Sequence, residues 1–444
     1  MTRISKASVF ALAFVASVGG ASCSSGSSTP SGGDGGARDG SAARDGSGSG
    51  SSSKKDAAQD ARHDGSSGAG SSTGSGSGDA RVDTGVDAHV DAFVDSGRDA
   101  PADTGKDSGE DAHVDSHVAV DSGVDAGNAP PPSCVGIGAG IGSCGAAAES
   151  CCTSPEVQGG MFSRTYTNTG TGATGLANPA NLTEFRLDKY LVTVARFRKF
   201  RAAVLPTTGV GWLPAAGAGK HAYLNGGQGV ANVDSPGSFE TGWLASDDAN
   251  VVPTDANLAC KAGSSTWSAT AGDTDPLPIN CVNWYEAYAF CIWDGGFLPS
   301  DAEWGYAAAG GPMQLEYPWG SASPGSTNTY AIYGCHYPSG GSACAGVDSI
   351  AQVGSAPMGI SLWGQLDMVG DMYAWNLDLY GAYPATGTCT DCAALGPATG
   401  RVVRGGDFQE SAQPLLSWQR SINTSTVRLD TIGIRCARTP IPGG

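Results

Sequence analysis

From Asp83 to Asp115 an aspartate returns at every fourth residue. On a helix this spacing stacks like charges one turn apart, which is destabilising. The intervening Gly and Val lower helix propensity further. The repeat lies within residues 24–132, where Gly, Ser, Asp and Ala dominate and Phe93 is the only aromatic. So little apolar material cannot offset the entropy of ordering the chain. The segment has 19 acidic and 8 basic residues, which supply −11 of the chain's net charge of −18. It reads as a disordered, self-repelling tether over 23–132, with an r.m.s. span of roughly 50–60 Å. A folded core has to come from the residues beyond it, which hold all ten tryptophans.

The N-terminus has the three parts of a secretory signal. "MTRISK" carries Arg3 and Lys6, "ASVFALAFVASVGG" is apolar, and small residues follow. The apolar run is shorter than the roughly 20 residues that span a bilayer. Gly20-Ala21-Ser22-Cys23 resembles the lipobox of bacterial lipoprotein signals, although an aliphatic residue is usual where Gly20 stands. This predicts a signal peptide over 1–22, lipidation of Cys23 and a membrane partner reached through that lipid. The protein is expected to be exported to a bacterial cell envelope, at the outer membrane or cell surface.

Setting Cys23 aside leaves twelve cysteines, all at or beyond Cys134. An even set in an exported chain points to disulfides. Cys389 and Cys392 have the spacing of a redox motif, but without a βαβ setting a short-range bridge is expected. Cys335 and Cys344 flank a Gly/Ser/Pro loop and are expected to pair, and Cys260 with Cys281 likewise. Cys134, Cys144, Cys151 and Cys152 lie in a Cys-rich lead-in, 133–156, and allow three connectivities.

The remaining domain, 157–442, shows few amphipathic patterns. The segment 284–295 reads as a helix stopped by glycines. Ser300 and Glu303 have capping-box spacing before another, and 193–204 is a third. The rest is loop-like, so the expected class is α+β with short strands. The domain is acidic and has no basic stripe, which argues against nucleic acid. His221 and His336 are its only histidines and read as structural. Trp212, Trp243, Trp267, Trp363 and Trp418 lie in loop-like context, where aromatics can stack on sugars or grip a peptide.

Six segments then fall in a familiar order: "FRLDKYLVTVARFRKF" (185–200), "PINCVNWYEAYAFCIWDGGFLPSDAEWGYAAAGG" (278–311), "YPWG" (317–320), "LDMVGDMYAWNLDLY" (366–380), "RVVRGGDF" (401–408) and "IGIRCAR" (432–438). Together they resemble the formylglycine-generating enzyme, or sulfatase-modifying factor, domain. The resemblance implies a C-type-lectin-like variant fold that is loop-rich, with short antiparallel sheets and few helices. It also implies a bridge between Cys291 and Cys436. Active members use a pair of copper-holding cysteines beyond an Arg-Gly-Gly-Ser motif to oxidise a sulfatase cysteine. Here Asp407 stands at the serine position, Glu410 at the first cysteine and Leu415 near the second. No cysteine occurs between Cys392 and Cys436, so the soft ligands of a Cu(I) site are missing. Ala308 stands where the family often has another bridged cysteine.

The family's calcium loop maps onto Asp367, Gly370 and Met372, with Ala374 replacing a glutamate, so any calcium would bind weakly. No resident cofactor is expected, copper least of all. The first reading is a monomeric, catalytically degenerate domain that binds a peptide or glycan near Asp407, Glu410 and Trp418. The alternative is a formylglycine-generating oxidase or related enzyme with altered site residues, in which Asp407 and Glu410 serve as an acid/base pair. The lipid is the feature tested most simply. Metabolic labelling with palmitate in a bacterial host should mark the chain and leave Cys23→Ser unmarked; a labelled Cys23→Ser variant contradicts the assignment.

Overall fold

The computed structural model describes residues 130–384 and 387–442. The expectations for the signal, Cys23 and almost all of the tether lie outside the described residues. Within them the class is α+β and loop-rich. Four short strands come first: β1 (Glu156–Val157), β2 (Gly160–Thr167), β3 (Thr174–Leu182) and β4 (Phe185–Leu187). Then follow α1 (Val194–Val204), β5 (Ala231–Asn232), α2 (Asp255–Leu258), α3 (Trp284–Trp293) and α4 (Asp301–Ala309). The last third holds β6 (Tyr373–Leu379), β7 (Cys389–Thr390), β8 (Cys392–Ala393), β9 (Arg401–Arg404), β10 (Ser421–Asn423), β11 (Ile432–Gly433) and β12 (Ala437–Arg438).

The sheets are small: β1-β4-β12, β10-β9-β6-β11, β2-β3-β7 and β5-β8. Most pairs are antiparallel, but β6 with β11, β3 with β7 and β5 with β8 run parallel. These parallel partners are far apart in sequence, so each pairing closes a long excursion of chain rather than a hairpin.

The helices start where local chemistry satisfies their first N–H groups. Thr193 caps α1 through the Arg196 amide. Ser300 and Glu303 form the expected capping box on α4, and Gly310 ends that helix in the left-handed region at φ 64°. Asn283 and Glu286 form a second capping box on α3. The buried face of α3 presents Trp284, Tyr288 and Cys291 to a core shared with Phe197 and Phe200 of α1 and Trp375 of β6. A second cluster lies under α4 and β2, around Phe162, Trp304 and Leu415.

Six disulfides staple the described residues. Cys134–Cys152 and Cys144–Cys151 nest in the lead-in. Cys260–Cys281, Cys335–Cys344 and Cys389–Cys392 close short loops. Cys291–Cys436 closes a separation of 145 residues, worth about 4–5 kcal/mol in the chain-entropy picture. So many disulfides belong to an exported protein rather than to a reducing cytosol. Among the described residues no helix is long and apolar enough to cross a membrane.

Two buried ionic devices hold the loops. His221, fully buried, has Nδ1 3.0 Å from Glu240 and Nε2 3.1 Å from Glu303. Burial alone would discharge the ring, but the two carboxylates outweigh it and raise its pKa to about 10. The other device is a four-membered ring of charge. Arg196 Nη2 lies 3.2 Å from Asp188 and 2.7 Å from Asp294, and Arg438 lies 2.8 Å from each aspartate. Ser133 of the lead-in donates its backbone N–H to Asp294 at 3.0 Å and accepts from Arg196 Nε at 2.9 Å. Removing one member leaves a buried charge uncompensated, a loss of about 3–5 kcal/mol. Arg196→Met should lower unfolding stability by that amount in denaturant titrations with the disulfides intact; a loss below about 1 kcal/mol contradicts this account of the ring.

Candidate functional site

The candidate site is built on the turn after β9. Arg404 ends that strand with its guanidinium buried. Its Nε donates to Asp301 Oδ1 at 2.6 Å, and its Nη1 donates to the Gln419 carbonyl at 2.8 Å. One side chain therefore ties the start of α4 to the segment returning into β10. Gly405 follows at φ 107°, where a Cβ would meet the Met368 carbonyl at 2.7 Å. That forced turn carries the chain inward to Asp407.

Asp407 is 4% exposed. Its Oδ1 accepts from the backbone N–H of Gln409 at 2.7 Å and of Glu410 at 3.2 Å. Burial pushes its pKa up to about 7, with the Glu410 charge adding to the effect. The carboxylate thus serves its own turn. Glu410 accepts from the Tyr373 hydroxyl at 2.5 Å. With Tyr373, Gln413 and Arg420 it lines a cavity of about 190 Å³. Leu415 is fully buried in the second core cluster. Of the three substituted positions, only Glu410 lines this cavity.

Trp418 lines a second, more open cavity of about 620 Å³, which shares Gln419 and Arg420 with the first. The other loop tryptophans differ. Trp243 is fully buried, and its Nε1 donates to Asp248 at 2.8 Å. Trp363 stacks on Tyr306, Trp267 carries Arg198 over its ring, and Trp212 packs on Phe200.

Below the two cavities lies a charge cluster that local sequence spacing does not reveal. Burial would raise the Asp301 pKa, but Arg404 and Arg420 hold it at about 2. Asp378 accepts from the Asp301 and Ala394 amides at 2.7 and 2.8 Å, while burial and the Asp301 charge push its pKa up to about 7. Tyr383 donates to Asp301 at 2.8 Å. The members come from α4, β6, β9, the 380–383 loop and the segment just before β10.

The residues of the expected calcium loop are hydrogen-bonded within the chain. Asp367 Oδ2 accepts from the Gly354 amide at 2.6 Å, and the Gly370 carbonyl accepts from Met372 at 2.8 Å. The unpartnered buried oxygen belongs to Asp371, at Oδ2. Burial and the neighbouring Asp367 raise the Asp371 pKa well above the usual range. Among the described residues no group of three or more His, Cys, Asp or Glu is placed to hold a metal. Every described cysteine is in a disulfide.

Residues 145–440 match the sulfatase-modifying factor enzyme 1-like domain. The chain belongs to that family. It is 27% identical to the formylglycine-generating enzyme of Thermomonospora curvata over 285 residues, 60% of this chain and 86% of that protein. It is 29% identical to the inactive C-alpha-formylglycine-generating enzyme 2 of Bos taurus over 36% of this chain and 50% of that protein. Among solved structures, PvdO from Pseudomonas aeruginosa shares 20% identity at a TM-score of 0.42, over 64% of this chain and 93% of that one. The family's bridge between α4 and the site turn has no counterpart here. Instead Ser417 Oγ donates to the Ala308 carbonyl at 3.0 Å.

The raised pKa of Asp407 gives a signed pH dependence. The folded state holds the proton longer than the unfolded chain, whose value is near 4. The contribution of Asp407 is therefore most favourable below pH 4 and declines as pH rises through 7, by up to about 4 kcal/mol. Asp407→Asn keeps the Oδ1 acceptor and should flatten the stability profile between pH 4 and 7. An unchanged profile contradicts the assignment.

Proposed function

We propose that the chain is a surface-tethered lipoprotein whose domain binds a peptide or glycan and does not oxidise cysteine. The carrying observation is the state of sulfur. All twelve cysteines from Cys134 to Cys436 are paired, and the catalytic-cysteine positions hold Glu410 and Leu415. A copper(I) centre of the family's kind needs two thiolates, and these residues offer a carboxylate and a core hydrocarbon instead. The inactive C-alpha-formylglycine-generating enzyme 2 of Bos taurus supplies a precedent for an inactive member.

The scaffold around the lost centre is otherwise kept, with the Arg-Gly-Gly turn intact and two cavities beside it. Fold alone licenses no function, so the binding reading rests on those cavities. In this proposal Cys23 carries the lipid, residues 24–132 give reach from an outer membrane or cell surface, and the domain works as a monomer without nucleic acid or resident copper. Calcium is a weak ligand of the 366–375 loop, taken up by the free oxygen of Asp371.

Two measurements test this. The purified chain, given copper(I), oxygen and a cysteine-containing sulfatase peptide, should yield no formylglycine beyond a protein-free copper control; formylglycine above that control overturns the proposal. Added calcium should raise the melting temperature slightly in the wild type and leave Asp371→Asn unmoved; equal shifts in both remove calcium from the account.

A further inference from the structure

The larger cavity is lined by two arginines, Arg164 and Arg420. Arg164, on β2, is 6% exposed. Its Nε donates to the Asn178 carbonyl at 3.2 Å, and no carboxylate lies within ion-pair distance of it among the described residues. Its guanidinium rests 4.2 Å from the centre of the Tyr383 ring. Arg420 stacks on the same ring at 4.2 Å and on Tyr380 at 4.9 Å. The Nε of Arg420 lies 2.9 Å from Asp301, and its Nη1 donates to the Gly381 carbonyl at 3.0 Å.

The local charge does not balance. Three arginines, 164, 404 and 420, share this region with Asp301 and Asp378. Asp301 is committed to Arg404 and Arg420. Asp378 is held by two backbone amides and is the more easily protonated of the two acids. Arg164 is left without a counter-ion. The terminal nitrogens of Arg164 have no acceptor among the described residues and are open to the cavity, where a guanidinium can take an anion in a planar, bidentate pair. An anion in the cavity completes it.

The walls select the kind of anion. Around the two arginines stand Tyr380, Tyr383, Trp418 and the amide of Asn178. No Leu, Ile, Val or Met lines the cavity, so there is no apolar socket for a peptide side chain. Aromatic rings and planar polar groups suit the C–H faces and hydroxyls of a pyranose, and a guanidinium matches a carboxylate or sulfate in a planar, bidentate fashion. A volume of about 620 Å³ admits one or two sugar rings.

We propose that this cavity is a subsite for an acidic saccharide, its sulfate or uronate held by Arg164 and Arg420 and its ring laid against Trp418 and Tyr380. The inference rests on the binding reading above and gives that reading a ligand class.

The test is calorimetric titration of the full chain with a sulfated uronate disaccharide, its neutral desulfated and carboxyl-reduced counterpart, and an acidic peptide of equal charge. The sulfated disaccharide should bind, quench tryptophan fluorescence and weaken with added salt. The neutral disaccharide should bind at least about tenfold more weakly, and Arg164→Gln should cost about tenfold or more, the loss of one charged hydrogen-bonded pair. Asn178→Asp places a negative charge at the cavity while leaving the buried network intact, so it should also weaken binding if Arg164→Gln folds poorly. Equal affinity for the charged and neutral sugars, or full affinity in Asn178→Asp, overturns the proposal. Binding of the acidic peptide alone overturns the saccharide class. Formylglycine formation in the oxidation assay would remove the binding reading while leaving these titrations interpretable on their own.

Discussion

The structure depends on two carboxylates being shared by two guanidiniums out of water. Asp188 and Asp294 each face both Arg196 and Arg438, and all four side chains are buried. Their desolvation is large, and only mutual pairing with further hydrogen bonds offsets it. The ring supplies those bonds through Ser133, the Cys151 carbonyl and the Asp294 carbonyl. It gathers α1, the end of α3, the last strand and the lead-in at one point. Cys291–Cys436 joins α3 to the segment just before β12 beside it. The domain is thus closed both covalently and ionically, which suits a chain with short strands and long loops.

Once closed, the scaffold presents the turn after β9 in a fixed orientation. Arg404 is the pivot, because it holds both the start of α4 and the segment carrying Trp418 to Arg420. In an oxidising family member this turn would deliver thiols. Here the same geometry delivers one carboxylate to a small cavity and sends a leucine into the core. Arg164 lines the larger cavity beside this turn, which none of the three substituted positions enters.

Local features were legible in the sequence. Ser300 and Glu303 signal a helix start because their reciprocal bonds span three residues. The bridges Cys335–Cys344 and Cys389–Cys392 lie within short loops. The Asn283–Glu286 capping box has the same three-residue spacing before an apolar run. Long-range charge was not legible. His221 reads as an isolated histidine until folding brings Glu303 to it across 82 positions. Asp407 and Glu410 suggest an acid/base pair by spacing, but that Asp407 accepts from its own turn and Glu410 from Tyr373 shows only in the fold. Asp367 matched the calcium pattern, whereas the oxygen without a partner is on Asp371, because the Gly354 amide reaches Asp367 first. Nothing near Arg164 in sequence marks it, since its significance comes from what fails to pair with it.

The central claim is that this domain has no thiol free to hold copper. Counting reactive thiols addresses it directly. The full chain with Cys23→Ser, exported through an oxidising compartment and unfolded in guanidinium chloride, should release no thiol to a chromogenic disulfide reagent. Two thiols per chain, appearing without any reductant, would contradict the account.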